Sequence, residues 1–188
     1  MENGILKMSN NREKRIYKEN VHLFLALQRA PKQGNKRCFR HVIQDEAIDL
    51  KIVEEKCKVF GGEWRIHKTV NCRDIEEARK WLLKHLIDYP ANASFVDSCW
   101  RTALLQKNCK VTKYFMLDID TQDPEIIGKI IKILYENKVI VLNMIKSPKG
   151  WHYITEPFDT REVTAIEEVT LLRDGYHYVK TVGGSIEC

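Results

Sequence analysis

Hydrophobic residues along this chain recur at two spacings, every second residue or every third to fourth, and the switches between them mark out its elements. VHLFLALQRA (21–30) is a short apolar run closed by Pro31, Gly34 and Asn35, after which KRCFRHVI reads as a first strand. From Gln44 to Val59 the apolar positions Ala47, Ile48, Ile52, Cys57 and Val59 approach helical spacing, and Gly61-Gly62 stops the run as a C-terminal cap does. EWRIHKTV (63–70) then sets Trp64, Ile66, Lys68 and Val70 against Arg65, His67 and Thr69, the alternation of a strand. Asp74 fits an N-cap with Glu77 as its capping-box partner, ahead of a helix lined by Ile75, Ala78, Leu82 and Leu86. Beyond Pro90, the positions Phe95, Cys99, Ala103 and Gln106 predict another helix within 94–106.

The sharpest pattern begins at Val111. KVTKYFMLDID is an apolar strand ending in two carboxylates, Asp123-Pro124 supplies a cap and a first-turn proline, and Ile126, Ile127, Ile130, Ile131 and Leu134 form the stripe of a helix ending near Asn137. VIVLNMIK (139–146) reads as a central strand, SPKG (147–150) as a turn and WHYITE (151–156) as the returning strand. EEVTLLRD (167–174) and YHYVKTV (176–182) read as a hairpin turning on Asp174-Gly175. Strands mixed with helices in this order predict an α+β fold, with helices layered on a mixed or antiparallel sheet. Residues 1–20 show no sustained period and are expected to be a flexible arm ahead of one domain spanning 21–188.

Composition narrows the class. With 188 residues, 44% of them hydrophobic and 30% charged, the chain is neither disordered nor fibrous, and it is long enough to bury one sizeable core. Its longest apolar runs fall short of the ~20 residues a membrane-spanning helix needs, so no membrane role is expected. The first residues carry no continuous apolar segment of the secretory kind, which favours a reducing cytoplasm. Six cysteines without a C-x-x-C pair agree, and read as small packed thiols rather than a zinc site or disulfide framework. The net charge of +5, from 31 Lys and Arg against 26 Asp and Glu, is a modest basic excess.

Candidate chemistry gathers at the strand ending in Asp118 and Asp120. Residues two apart on a strand share a face, roughly 6.5–7 Å from one another, and two carboxylates there suit Mg²⁺ or Mn²⁺ completed by substrate phosphates. The turn Ser147-Pro148-Lys149-Gly150 followed by Trp151-His152 offers a hydroxyl, an ammonium, a glycine open to close backbone approach and an imidazole, a set suited to a bound triphosphate. Arg65, Lys68, Arg73, Lys146 and Lys149 are the bases expected to offset the acids, and Trp64, Trp100 and Trp151 the rings that could stack bases.

FMLDID, then SPKGWH some thirty residues on, then VTLLRD resemble the archaeo-eukaryotic primase superfamily, which includes primase-polymerases of phages and mobile elements. RIHKTVNCRD (65–74) and GWHYITEPFD (150–159) also resemble segments of small phage proteins. The first resemblance spans roughly residues 111–175 and implies an RRM-like, primase-like mixed sheet with helices on one face. It implies a metal-dependent nucleotidyltransferase in which Asp118 and Asp120 bind Mg²⁺ or Mn²⁺ and Asp174 completes the triad, with Glu168 or Glu187 as substitutes. Ser147, Lys149 and His152 would hold the phosphates of a nucleoside triphosphate, with Arg65 and Arg73 as further nucleotide-binding residues. Nucleic acid and a replication or host protein are the implied partners, and a host bacterial cytoplasm the implied place if a phage encodes the chain. A nucleotide hydrolase on the same fold and a noncatalytic nucleotide-binding or host-interaction protein are the competing readings.

Overall fold

The computed structural model describes residues 19–30 and 35–183, so the expected arm, apart from Glu19 and Asn20, lies outside the described residues, as does Glu187. In chain order the elements are β1 (Asn20–Ala30), β2 (Cys38–Ile43), α1 (Glu46–Phe60), β3 (Glu63–Thr69), the two-residue β4 (Arg73–Asp74), α2 (Ile75–Asp88) and α3 (Val96–Leu104). There follow β5 (Phe115–Ile119), α4 (Pro124–Glu136), β6 (Val141–Lys146), β7 (Trp151–Thr155), β8 (Val169–Leu172) and β9 (Tyr176–Val182). The α+β class is observed, but the strands form two sheets whose pairings are antiparallel, rather than one mixed sheet. One has the order β2-β1-β3-β9, with β4 on the start of β1; the other has the order β6-β7-β5-β8. No helix among the described residues is long and apolar enough to cross a membrane.

Local chemistry explains the helix starts. Asp45 accepts the N–H groups of Ala47 and Ile48, Asp74 those of Glu76 and Glu77, and Asp123 that of Glu125, each supplying an acceptor that the first turn lacks. The capping box at α2 is one-sided, because the Glu77 carboxylate pairs with Lys80 and Asn108. Gly61, at φ 65°, closes α1 by donating its N–H to the carbonyls of Cys57 and Lys58.

Packing gives each sheet a helical cover. α1 lies on Phe24, Ala26, Trp64 and Ile66, while α2 and α3 enclose Val21 and Leu23 with Ile75, Ala78, Ala103 and Leu104. β1 therefore buries apolar groups on both faces, which is why 21–30 reads as a continuous run rather than an alternation. α4 sets Ile130 and Leu134 on Leu117, Ile119 and Tyr153 of the second sheet. Each such aliphatic side chain contributes about 1.5–3 kcal/mol by leaving water. Trp64 is fully buried beside Phe39 and Phe60, so it is core and not a base-stacking platform.

Two expectations change. The apolar segment 139–146 forms not a central strand but the edge strand β6, paired only with β7 and leaving Leu142 and Met144 exposed. The hairpin at Asp174-Gly175 does not form: β8 pairs with β5 and β9 with β3, so these two residues carry the chain from one sheet to the other. The crossing is held by the segment after β3. The Val70 N–H donates to the Gly175 carbonyl at 3.0 Å. Asn71, fully buried, accepts the Tyr114 N–H (2.8 Å) and the Thr112 hydroxyl (3.0 Å), and its amide donates to the Tyr114 carbonyl (3.2 Å) and Asp174 (3.4 Å). Arg73, 1% exposed, sends Nη1 and Nη2 to the two oxygens of Asp174 at 3.0 and 2.6 Å.

Stripping one partner from a buried ion pair costs about 3–5 kcal/mol. Asp174→Ala should cost about 3 kcal/mol, toward the lower end because the carboxylate reaches solvent, and the paired change Arg73→Met with Asp174→Leu should recover much of that loss. Urea denaturation of the three chains measures both.

Candidate functional site

A cleft of about 180 Å³ opens between the two sheets. Its first wall is built on β3 and β9. His67 lies opposite Tyr178 and Thr69 opposite Tyr176, so Arg65, His67, Tyr176 and Tyr178 share one face by strand alternation, joined by Arg29 at the end of β1. The second wall is the end of β5 and the β6–β7 turn: Asp118, Asp120, Ser147, Pro148, Lys149 and His152, over a floor of Met116 and Leu172. Leu117 and Ile119 point away into the α4 core, which turns Asp118 and Asp120 toward the cleft.

Six of the eight residues singled out from the sequence meet here: Asp118, Asp120, Ser147, Lys149, His152 and Arg65. Arg73 and Asp174 do not. They bind one another in the clasp between the sheets, so Arg73 is a buried structural cation rather than a nucleotide ligand, and both Asp174 oxygens are engaged by its guanidinium. Lys68 pairs with Glu46 at the start of α1, away from the cleft. The acid that stands closest by register is Glu168, whose carbonyl accepts the Asp120 N–H at 2.9 Å. Since Thr170 lies opposite Asp118, Glu168 continues the same face opposite Asp120.

The turn has a different use for its glycine than the one expected. A Cβ on Gly150 would fall 2.0 Å from the Ile119 carbonyl oxygen and 2.5 Å from that of Thr121, so the glycine lets the β6–β7 turn lie directly on the strand end bearing the acids. Ser147, buried, accepts the Gly150 N–H through its hydroxyl at 3.1 Å, which commits a lone pair to closing the turn. Lys149 stays exposed at the rim.

His152 sits between the walls. Its Nδ1 accepts the backbone N–H of Tyr178 at 2.9 Å and its Nε2 stands 3.2 Å from Asp118 Oδ1. The first wall is left with unused polar groups. Arg65 Nε, His67 Nε2 and the Tyr176 hydroxyl are buried and have no hydrogen-bond partner, and all three residues line the cleft. Glu63 is 3.8 Å from Arg65 Nε, an ion pair but not a hydrogen bond. Burial, with the charges of His152 and Arg29, lowers the His67 pKa from 6.5 to about 4, so this imidazole is neutral at neutral pH.

His67, Tyr176, Tyr178 and Arg29 were not among the sequence candidates. The alternation of EWRIHKTV and of YHYVKTV does place His67 with Arg65 and Tyr176 with Tyr178, but which face meets the acids depends on the packing of two sheets. Arg29 follows an apolar run and carries no such signal.

As a metal site the second wall is incomplete by itself. Among the described residues no group of three or more His, Cys, Asp or Glu side chains is placed to hold a metal ion. Its donors are nevertheless of the right kind, because Mg²⁺ is held by one or two carboxylates with water and substrate phosphates supplying the rest. Asp118 and Asp120 fit that mode of binding. No family model, curated protein or solved structure matches the chain.

Two outcomes follow from this geometry. Gly150→Ala should push the turn off Ile119 and Thr121, lowering stability by about 1–3 kcal/mol in a denaturant titration. Because the folded-state pKa of His67 lies below its unfolded value, the unfolded chain takes up the proton first as pH falls. Stability conferred by neutral His67 is therefore complete above pH 6.5 and is lost between 6.5 and about 4, by on the order of 3 kcal/mol. His22 and His177, also shifted downward by burial, add in the same direction. Chemical denaturation across this range should show the loss, and His67→Gln should diminish it.

Proposed function

We propose that the chain is a metal-dependent nucleotidyltransferase of primase-polymerase type, acting on nucleoside triphosphates at the cleft between its sheets. The observation that carries this reading is the polarity of the cleft: two carboxylates on one wall face Arg29, Arg65 and three unpartnered polar atoms on the other, with Lys149 at the rim. A substrate that brings both anionic oxygens and a bound cation satisfies both walls at once. The order β6-β7-β5-β8, with α4 between β5 and β6, supports the RRM-like form of the fold that the resemblance implies.

In this reading Asp118 and Asp120 hold Mg²⁺ or Mn²⁺, with water and the substrate's phosphates completing the coordination. The bound metal would lower the pKa of the attacking hydroxyl and neutralise charge on the leaving pyrophosphate. The chain's own residues position the reactants. Arg65 and Arg29 draw the polyphosphate to the first wall while Lys149 meets it from the rim, and the Tyr176 hydroxyl is a donor for one of its oxygens. Met116 and Leu172 keep the floor of the cleft apolar, which strengthens every charge interaction above it. Nucleic acid would enter as primer and template, with a replication or host protein as partner.

Incorporation of labelled nucleotide on a primed template in Mg²⁺ or Mn²⁺ tests the proposal. Asp118→Ala and Asp120→Ala should each reduce it by roughly 10²–10³-fold, the scale for removing one preorganised electrostatic group. Release of phosphate or pyrophosphate without template would assign hydrolysis instead, and tight nucleotide binding that survives both substitutions without turnover would leave a noncatalytic binding protein.

A further inference from the structure

His152 stands against Asp118 at the junction of the two walls. The residue is 6% exposed, with Nδ1 hydrogen-bonded to a backbone N–H and Nε2 facing a carboxylate. Nδ1 accepts the N–H of Tyr178 at 2.9 Å, and a nitrogen that accepts an N–H carries no proton, so the proton of the neutral ring sits on Nε2. Nε2 faces Asp118 Oδ1 at 3.2 Å, an ion-pair approach that is not aligned as a hydrogen bond, because β5 and β7 pair with Asp118 directly opposite His152. A phosphate oxygen approaching the Nε2 N–H would meet the like charge of the Asp118 carboxylate 3.2 Å away. We infer that His152 is a positioning residue, oriented by the backbone of β9 in one sheet and fixing the Asp118 carboxylate in the other, so that Oδ2 is presented to a cation.

The inference rests on the metal-dependent reading of the cleft, and it departs from the phosphate-holding role that the resemblance implies for this histidine. It also assigns the phosphate contacts to the opposite wall, where Arg65 Nε and the Tyr176 hydroxyl have no hydrogen-bond partner. One ring thereby links the aim of the acid to the position of β9, the strand that carries Tyr176 and Tyr178.

The test is Mn²⁺ binding by titration calorimetry to the full chain, with tripolyphosphate binding in EDTA measured beside it. Partners that orient metal-binding side chains are typically worth 10–100-fold in affinity, so His152→Ala should weaken Mn²⁺ by that factor and change tripolyphosphate affinity by less than about twofold. His152→Gln, whose side-chain amide reaches the Nε2 position, should regain much of the Mn²⁺ affinity, and Asp118→Ala should abolish it. Unchanged Mn²⁺ affinity in His152→Ala, or lost tripolyphosphate affinity with Mn²⁺ intact, overturns the positioning role alone. A wild-type chain that binds no Mn²⁺ overturns the metal reading and this inference with it. Should His152→Ala fail to fold, long-range ¹H–¹⁵N correlation spectra of the wild-type imidazole decide the matter. A proton on Nε2 with Nδ1 bare is expected, and the opposite tautomer overturns the role.

Discussion

The bidentate pairing of buried Arg73 with Asp174 is the constraint on which the rest of the molecule depends. Among the described residues no strand ladder joins the two sheets, so their relative position is set by side chains and crossing segments. A guanidinium at 1% exposure requires a charged partner, and Asp174, at the point where the chain leaves β8 for β9, is that partner. Asn71 adds a second tie by engaging Tyr114, which leads into β5. Such buried polar links add little net stability compared with apolar packing, but they tolerate few alternative arrangements, and their value here is in fixing one sheet against the other.

What that placement produces is a cleft whose walls carry opposite character. Carboxylates stand on one side, and Arg29 and Arg65 on the other with Lys149 at the rim, so the net charge of +5 understates the field a small anion meets between them. The same closeness explains the neutral His67, which is kept uncharged by burial and by facing His152 and Arg29. Gly150 tolerates no side chain for a reason internal to the second sheet. The turn bearing Ser147 and Lys149 has to rest on the backbone that presents the acids.

Much of the second wall was legible in the chain because its determinants are local. FMLDID alternates so that Leu117 and Ile119 enter one core while Asp118 and Asp120 face away, Asp123-Pro124 starts the next helix, and SPKGWH lies within one short strand-to-strand connection. Other features read wrongly because local signals stood for several structures. Asp174-Gly175 suits a hairpin, yet the flanking strands pair with β5 and β3 in different sheets, and the aspartate serves a distant arginine. Arg73 resembled any surface base at a strand–helix junction until burial placed it in the clasp. An apolar run suggested a central position for β6, whereas pairing on one side only leaves it at an edge.

The sequence by itself determined the α+β class, the caps, the strand and helix periods, and the convergence of Asp118, Asp120, Ser147, Lys149 and His152, since each follows from spacing over a few residues. Only the tertiary structure decided that there are two sheets, that Arg73 and Asp174 hold them together, and that Arg29, His67, Tyr176 and Tyr178 face the acids. Those outcomes depend on long-range pairing and on the cost of leaving a buried charge alone. Neither quantity is encoded in the neighbourhood of any one residue.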